Sequence, residues 1–311
     1  MPDNCQTEYN ISKLFFKECH QIQDRRKKPL TNVYFLKANR ENPVYGTVYL
    51  MHGYGGSPIE PCMKIPMMNA LECGFDIVAI ESIALSATSD MKKNLSDMNF
   101  ARHKYALTKG LEYCGNNTGL ASDYKVAWAH SMSCRALSDL SVHSEIIRGY
   151  FDELVMNNPY FLPPSKLQRS KQKCLEKDPS GRTWKILSHR PIIQTFHIEG
   201  KPYSIPANIN NLEVPLPSDW KSDDYDLDLK NIADKASQFF RNLKIDFILG
   251  AEDDKAEYMM NKKLIDALNL KEKRVFTIDK AGHYFENGLE EYDAYSRLIL
   301  NEIIKLPRRS A

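Results

Sequence analysis

The chain has 311 residues, 42% of them apolar, and its 42 basic and 40 acidic side chains leave a formal net charge of +2. That length holds one large α/β domain or two smaller ones. The balanced charge argues against bulk nucleic-acid binding, and no apolar run approaches the roughly 18 residues of a membrane span. Seven cysteines without metal-type spacing read as reduced thiols of a cytosolic protein, and a host cytosol reached by a dedicated export route would look the same. Met1–Gln6 shows no basic-then-apolar leader pattern.

Residues 1–30 are polar and end in the run Asp24-Arg25-Arg26-Lys27-Lys28, which reads as a solvated loop. Val33–Leu36 is a predicted strand, and Thr47–Met51 is a stronger one after the turn at Glu41-Asn42-Pro43. It runs into His52-Gly53-Tyr54-Gly55-Gly56-Ser57. Glycines directly after an apolar strand allow backbone to approach a ligand, although turn geometry alone also favours them. The stretch lacks the Gly-Lys-Ser/Thr of a P-loop and is not a dinucleotide fingerprint. A helix over about 59–73 leads to a buried strand at Phe75–Ile80. A Ser-rich loop spans Glu81–Ser96, and Asp97 caps a helix to about Cys114, with Met98, Ala101, Tyr105 and Leu111 on one side.

Lys125–Leu137 then changes period in mid-course. Val126, Ala127, Trp128 and Ala129 form a buried strand, and Met132, Ala136, Leu137 and Leu140 recur at helical spacing. Ser131 sits at the turn between them. A serine there is either a helix N-cap or a nucleophile elbow, a sharp strand-to-helix turn that lifts a hydroxyl clear of the sheet edge. The elbow needs small residues two before and two after the serine; Ala129 and Ser133 hold those places in lieu of the usual glycines.

Leu154–Met156 is the next strand, ending at Asn157-Asn158-Pro159. From 159 to 226 the periodicity fades. Nine prolines fall between 159 and 217, with a basic cluster (Lys166, Arg169, Lys171, Lys173) and a later acidic one (Asp219, Asp223, Asp224, Asp226). Aromatics at Trp184, Phe196, Tyr203 and Trp220 argue against disorder, so the segment reads as an insertion over the sheet edge. Its apolar residues (Phe161, Leu162, Leu187, Ile192, Ile193, Phe196) could line a pocket. Regular order returns with a helix at Leu229–Leu243, a strand at Ile245–Leu249, a helix at Ala256–Leu270, a strand at Lys273–Ile278 and a helix at Glu290–Lys305. This alternation predicts a mostly parallel sheet with helices on both faces. The core is expected over 1–158 and 227–311, with a cap at 159–226.

Ser131, Asp253 and His283 each follow the C-terminal end of a predicted strand, the edge where parallel sheets collect functional groups. Asp253 alone could be a helix N-cap and His283 an ordinary loop histidine. Together they stand in the chain order Ser, acid, His. Serine needs a neighbouring base to become a nucleophile, and a carboxylate behind the histidine fixes its tautomer.

With His52-Gly53-Tyr54, Ala129-His130-Ser131-Met132-Ser133, Gly250-Ala251-Glu252-Asp253 and Gly282-His283, the chain resembles the α/β-hydrolase superfamily. It is most similar to the branch holding monoacylglycerol lipases and lysophospholipases. The likeness spans about 30–306 outside the insertion. It implies an α/β-hydrolase fold, a triad of Ser131, Asp253 and His283, and oxyanion-hole amides from Tyr54 and Met132. Gly53 and His130 would contact substrate, and no cofactor or metal is implied. The substrate would be a small-molecule acyl ester such as a monoglyceride or lysophospholipid. The replaced elbow glycines equally resemble thioesterase and acyltransferase branches. Glu81-Ser82-Ile83-Ala84-Leu85-Ser86 stands where the family has Gly-His-Gly-x-Ser. A catalytically dead binding module would have lost a triad member, and all three are present.

Overall fold

The computed structural model describes residues 16, 18–41, 43–53, 56–83, 100–116, 119–120, 124–143, 150–160, 175–177, 183–186, 193–198, 201–206, 212–215, 237–238, 240, 243–253 and 258–306. The chain opens on a hairpin, β1 (Glu18–Gln23) and β2 (Pro29–Leu36), paired antiparallel. The polar sequence of β1 hid this strand: as an edge strand it buries little, and its side chains range from half-buried to exposed. The basic run is the turn of that hairpin. Asp24 Oδ1 accepts the amides of Arg26 and Lys28, and Lys27 adopts φ 59°. An Asx-type side-chain bond and a left-handed residue are what close such a turn.

β3 (Gly46–Met51), α1 (Pro61–Glu72), β4 (Phe75–Ser82), α2 (Phe100–Asn116), β5 (Lys125–His130), α3 (Met132–His143) and β6 (Glu153–Asn157) follow. The expected start of α2 at Asp97 falls outside the described residues, as does most of the helix expected at 229–243. Five short strands then occur in the 159–226 segment: β7 (Leu175–Lys177), β8 (Thr183–Ile186), β9 (Ile193–Ile198), β10 (Lys201–Pro206) and β11 (Leu212–Pro215). They form a three-stranded antiparallel sheet and a separate hairpin. The side chains expected to line a pocket there lie outside what is described. β12 (Lys244–Gly250), α4 (Tyr258–Ala267), β13 (Glu272–Ile278) and α5 (Leu289–Ile303) complete the chain.

The main sheet has eight strands in the order β1-β2-β4-β3-β5-β6-β12-β13. β1, β2 and β4 pair antiparallel in turn, and every pair from β4 to β13 is parallel. Period-two alternation divides the core into two layers. Tyr49, Met51, Val78, Ile80, Ala127 and Ala129 face one side, with Leu107 and Leu111 of α2 and Leu137 of α3. Val48, Leu50, Ile77, Ala79, Val126 and Trp128 face the other, with Met63 and Met67 of α1 and Tyr292 and Ile299 of α5. Trp128 is wholly buried, and its indole N–H donates to Tyr292 Oη at 3.1 Å. That hydroxyl also accepts from Asn157 Nδ2 and donates to the Cys62 carbonyl, so a buried polar group is fully satisfied, as it must be.

From β3 the chain moves outward to β4, then returns to place β5 on the opposite side of β3. The order therefore reverses between β3 and β5, and in open parallel sheets ligands bind beside the strand ends at such a reversal. His52-Gly53 ends one of those strands and Ser131 ends the other.

Candidate active site

Ser131 carries φ 54°, a left-handed conformation costly for a residue with a Cβ. Neighbouring backbone over-determines it. The Ser131 amide donates to the Asn157 carbonyl, and its own carbonyl accepts from Cys134 and Tyr160. The turn thus reverses direction between β5 and α3 within one residue, as an elbow does. Strand β3 passes so close that a Cβ built on Gly53 would lie 2.8 Å from Ser131 Cβ and 3.0 Å from His130 Nδ1. Only glycine fits there.

The elbow's second glycine position holds Ser133, and the structure gives that hydroxyl a task. It donates to the His52 carbonyl at 2.5 Å, tying the start of α3 to the end of β3. Because its one proton is spent there, the 3.1 Å contact with His103 Nε2 must be donated by the imidazole. His103, on α2, is fully buried, and burial, with a smaller effect of His52, lowers its pKa to about 3. It is therefore a neutral histidine at physiological pH.

Asp253 follows β12 in a tight turn: the amides of Ala251 and Glu252 bond to the carbonyls of Ile278 and Ala281. A Cβ on Gly250 would sit 2.4 Å from the Ala281 carbonyl oxygen, so this glycine permits the Asp253 turn and the His283 loop to touch. His283 Nδ1 lies 2.8 Å from Asp253 Oδ2, and His283 Nε2 lies 2.9 Å from Ser131 Oγ. The carboxylate only accepts, so Nδ1 carries the proton and Nε2 presents its lone pair to the serine hydroxyl. All three residues are nearly buried, at 4–5% exposure, which strengthens each of these bonds by excluding water. Glu252, the neighbouring acid, is exposed; Asp254 is outside the described residues.

Two residues hold the His283 loop in place. Asn158, with φ 38°, donates from Nδ2 to the carbonyls of Gly282 and His283 and accepts the Gly250 amide on Oδ1. Its side chain spans the acid turn and the histidine loop. Sequence reading stopped at Asn157-Asn158-Pro159 as a strand end; an asparagine there, tolerant of positive φ, was the available signal. His130 Nε2 also donates to the His283 carbonyl, at 2.9 Å.

Of the expected substrate contacts, Gly53 lies against Ser131. His130 is wholly buried, and its ring faces Glu60, Cys62 and the His283 backbone. Met132 follows Ser131 directly as the first residue of α3, a position whose amide has no partner within its own helix. Tyr54, the other expected oxyanion donor, lies outside the described residues.

No family model matches this chain, and no curated protein matches it by sequence. Solved structures do. The esterase Est1E from Butyrivibrio proteoclasticus superposes with a TM-score of 0.59 at 12% identity, covering 93% of this chain and 99% of its own. A monoacylglycerol lipase from Paleococcus ferrophilus gives 0.53 at 14% identity over 86% and 98%. A dienelactone hydrolase from Anabaena variabilis gives 0.52 at 12% identity over 94% and 99%. The chain has the α/β-hydrolase fold.

Proposed function

We propose that this protein is a serine hydrolase that cleaves a carboxylic ester through an acyl-enzyme. What carries the reading is the continuous relay from Ser131 Oγ through His283 to Asp253, at 2.9 and 2.8 Å, on a strand-to-helix turn of positive φ. His283 takes the Ser131 proton as the oxygen attacks the carbonyl carbon. The amides of Met132 and Tyr54 hold the oxyanion that forms, where preorganised donors act most strongly. Collapse expels the alcohol, which leaves with the proton from His283. A water activated by the same imidazole then releases the acid and restores Ser131. The α/β-hydrolase neighbours that are esterases and lipases support an ester as substrate class, with a monoglyceride or lysophospholipid as the acyl ester. Residues 159–226, inserted between β6 and the return of the core, form the cap that sets acyl-chain preference. A thioesterase or acyltransferase would use the same relay and differ in leaving group or acceptor.

One experiment addresses site and cap together. Purified protein treated with a fluorophosphonate probe is expected to label at Ser131, with labelling lost in Ser131→Ala. Persistence of the label in that variant would sink the assignment. Replacing 159–226 by a short Gly/Ser linker should keep labelling and acetate-ester hydrolysis while flattening the profile across longer acyl chains. An unchanged profile would place the acyl pocket elsewhere, and product analysis with acyl-CoA or acyl-carrier substrates against monoglycerides separates a thioesterase or acyltransferase from an esterase.

A further inference from the structure

Beneath the elbow, three potential metal ligands converge from two distant parts of the chain. Glu60 precedes α1, Cys62 lies in its first turn, and His130 ends β5. Glu60 Oε1 is 3.2 Å from Cys62 Sγ, Cys62 Sγ is 3.6 Å from His130 Nδ1, and His130 Nδ1 is 3.6 Å from the same Glu60 Oε1. All three residues are buried, two of them completely. Among the described residues they are the one group of three or more such side chains placed to share an ion.

We infer that Glu60, Cys62 and His130 form a structural site for a divalent transition metal, zinc by the chemistry of its donors. A triangle with those edges has a circumradius of about 2.0 Å, which matches zinc's bonds of about 2.0–2.3 Å to nitrogen, oxygen and sulfur. Thiolate, imidazole and carboxylate together suit zinc better than hard cations such as calcium or magnesium. The tautomer of His130 is already set for ligation. Its Nε2 must donate to the His283 carbonyl at 2.9 Å, so in the neutral ring Nδ1 presents a lone pair to the centre of the triangle. Metal-bound histidines commonly carry such a backbone carbonyl on the other nitrogen. The Glu60 carboxylate is held as well, with Oε2 accepting the Ser57 amide.

The alternative occupant of the triangle is a proton on His130, making an ion pair with Glu60. An imidazolium N–H on a carboxylate closes to about 2.7–2.9 Å, and even the neutral His283 ring donates to Asp253 at 2.8 Å. The 3.6 Å separation here is instead the edge of a coordination polyhedron. On binding, the Cys62 thiol releases its proton to solvent. The negative charges of carboxylate and thiolate then cancel the two positive charges of zinc, leaving a neutral buried site with neutral imidazole. A water takes the fourth tetrahedral position. The ion would cross-link the start of α1 to the end of β5 and, through His130, brace the loop carrying His283.

The test is the metal content of the tag-free, full-length protein after dialysis, measured by mass spectrometry. About one zinc per chain is expected, falling below about a tenth in Cys62→Ala. Apoprotein prepared with a chelator and given Co2+ should show a thiolate-to-cobalt charge-transfer band in the near ultraviolet. Should Cys62→Ala fail to fold, Glu60→Gln, which keeps the shape of the side chain, takes its place and should lower metal retention at least tenfold. Wild-type protein that retains no zinc and gives no cobalt band would overturn the inference. So would a folded Cys62→Ala or Glu60→Gln that holds as much metal as the parent.

Discussion

The protein holds two carboxylate–imidazole–nucleophile sets side by side, with the rings of His130 and His283 only 4.8 Å apart. One is Asp253–His283–Ser131; the other is Glu60–His130–Cys62. Their residue types would serve equally well for Ser–His or Cys–His catalysis. Hydrogen-bond direction separates them. His283 spends its N–H on the carboxylate and aims its lone pair at a hydroxyl. His130 directs its Nε2–H at a backbone carbonyl, and its Nδ1 lies 3.6 Å from Glu60 Oε1, well beyond the 2.8 Å of the His283–Asp253 bond. Cys62 is completely buried, and burial first of all, with Glu60 beside it, pushes its thiol well above the usual value. A thiol in that state does not attack a substrate. Chemically similar sets thus differ in where each imidazole spends its proton, and this difference is why proton transfer is proposed for one and a structural role for the other.

That division can be broken most sharply at the acid. Asp253→Asn leaves the imidazole in the wrong tautomer, a change worth about four orders of magnitude in kcat in the well-studied protease case. The same loss is expected here by steady-state hydrolysis of an activated ester. Glu252→Gln, altering an exposed neighbour, should change kcat less than about threefold. The reverse ranking would move the acid by one residue.

A smaller effect is expected from the brace. Asn158→Gly keeps the positive φ while deleting the side chain that ties the His283 loop to the Gly250 turn. Because misplacing a catalytic group by about 1 Å costs about a hundredfold, kcat should drop by about tenfold to a hundredfold. KM should hold, since the side chain serves His283 and not the substrate. A variant with normal kcat and raised KM would show that Asn158 contacts substrate.

The smallest effect concerns a third histidine, His103, which neither attacks nor braces the loop. Its folded pKa is about 3 against 6.5 for the free group, burial being the main cause. Between those values the unfolded chain binds the proton and the folded chain does not, so stability falls as pH drops from about 6.5 towards 3. The slope from this one group approaches about 1.4 kcal/mol per pH unit. Denaturant midpoints at pH 7 and 5 should converge for His103→Asn relative to the parent. Parallel curves for the two proteins would show that His103 titrates normally.

The fold was legible because its signals are local. Apolar runs such as Val126–Ala129 and Phe247–Leu249, short and bounded by turn signals, read as buried strands, and helical spacing between them points to a parallel sheet. Strand β1 escaped because an edge strand need not be apolar. The proposed triad was read from chain order, glycine turns and strand ends, and the structure brings its members Ser131, Asp253 and His283 within hydrogen-bond reach. The sequence placed His130 beside Ser131 as an expected substrate contact and gave no sign that its ring packs against Glu60, Cys62 and the His283 backbone, contacts made across long stretches of chain.

By itself, then, the amino-acid sequence determined the apolar core strands β2 to β6, β12 and β13 and placed Ser131, Asp253 and His283 in that order after strand ends, because hydrophobic period and turn residues act over a few positions. Only the tertiary structure decided which nitrogen of each imidazole keeps its proton and that Glu60 meets His130 across 70 residues of chain. It also decided that Asn158 spans two loops. Those outcomes depend on which groups the β3–β5 reversal brings within 3–4 Å, and hydrogen bonding and coordination are set at that range and at no greater one.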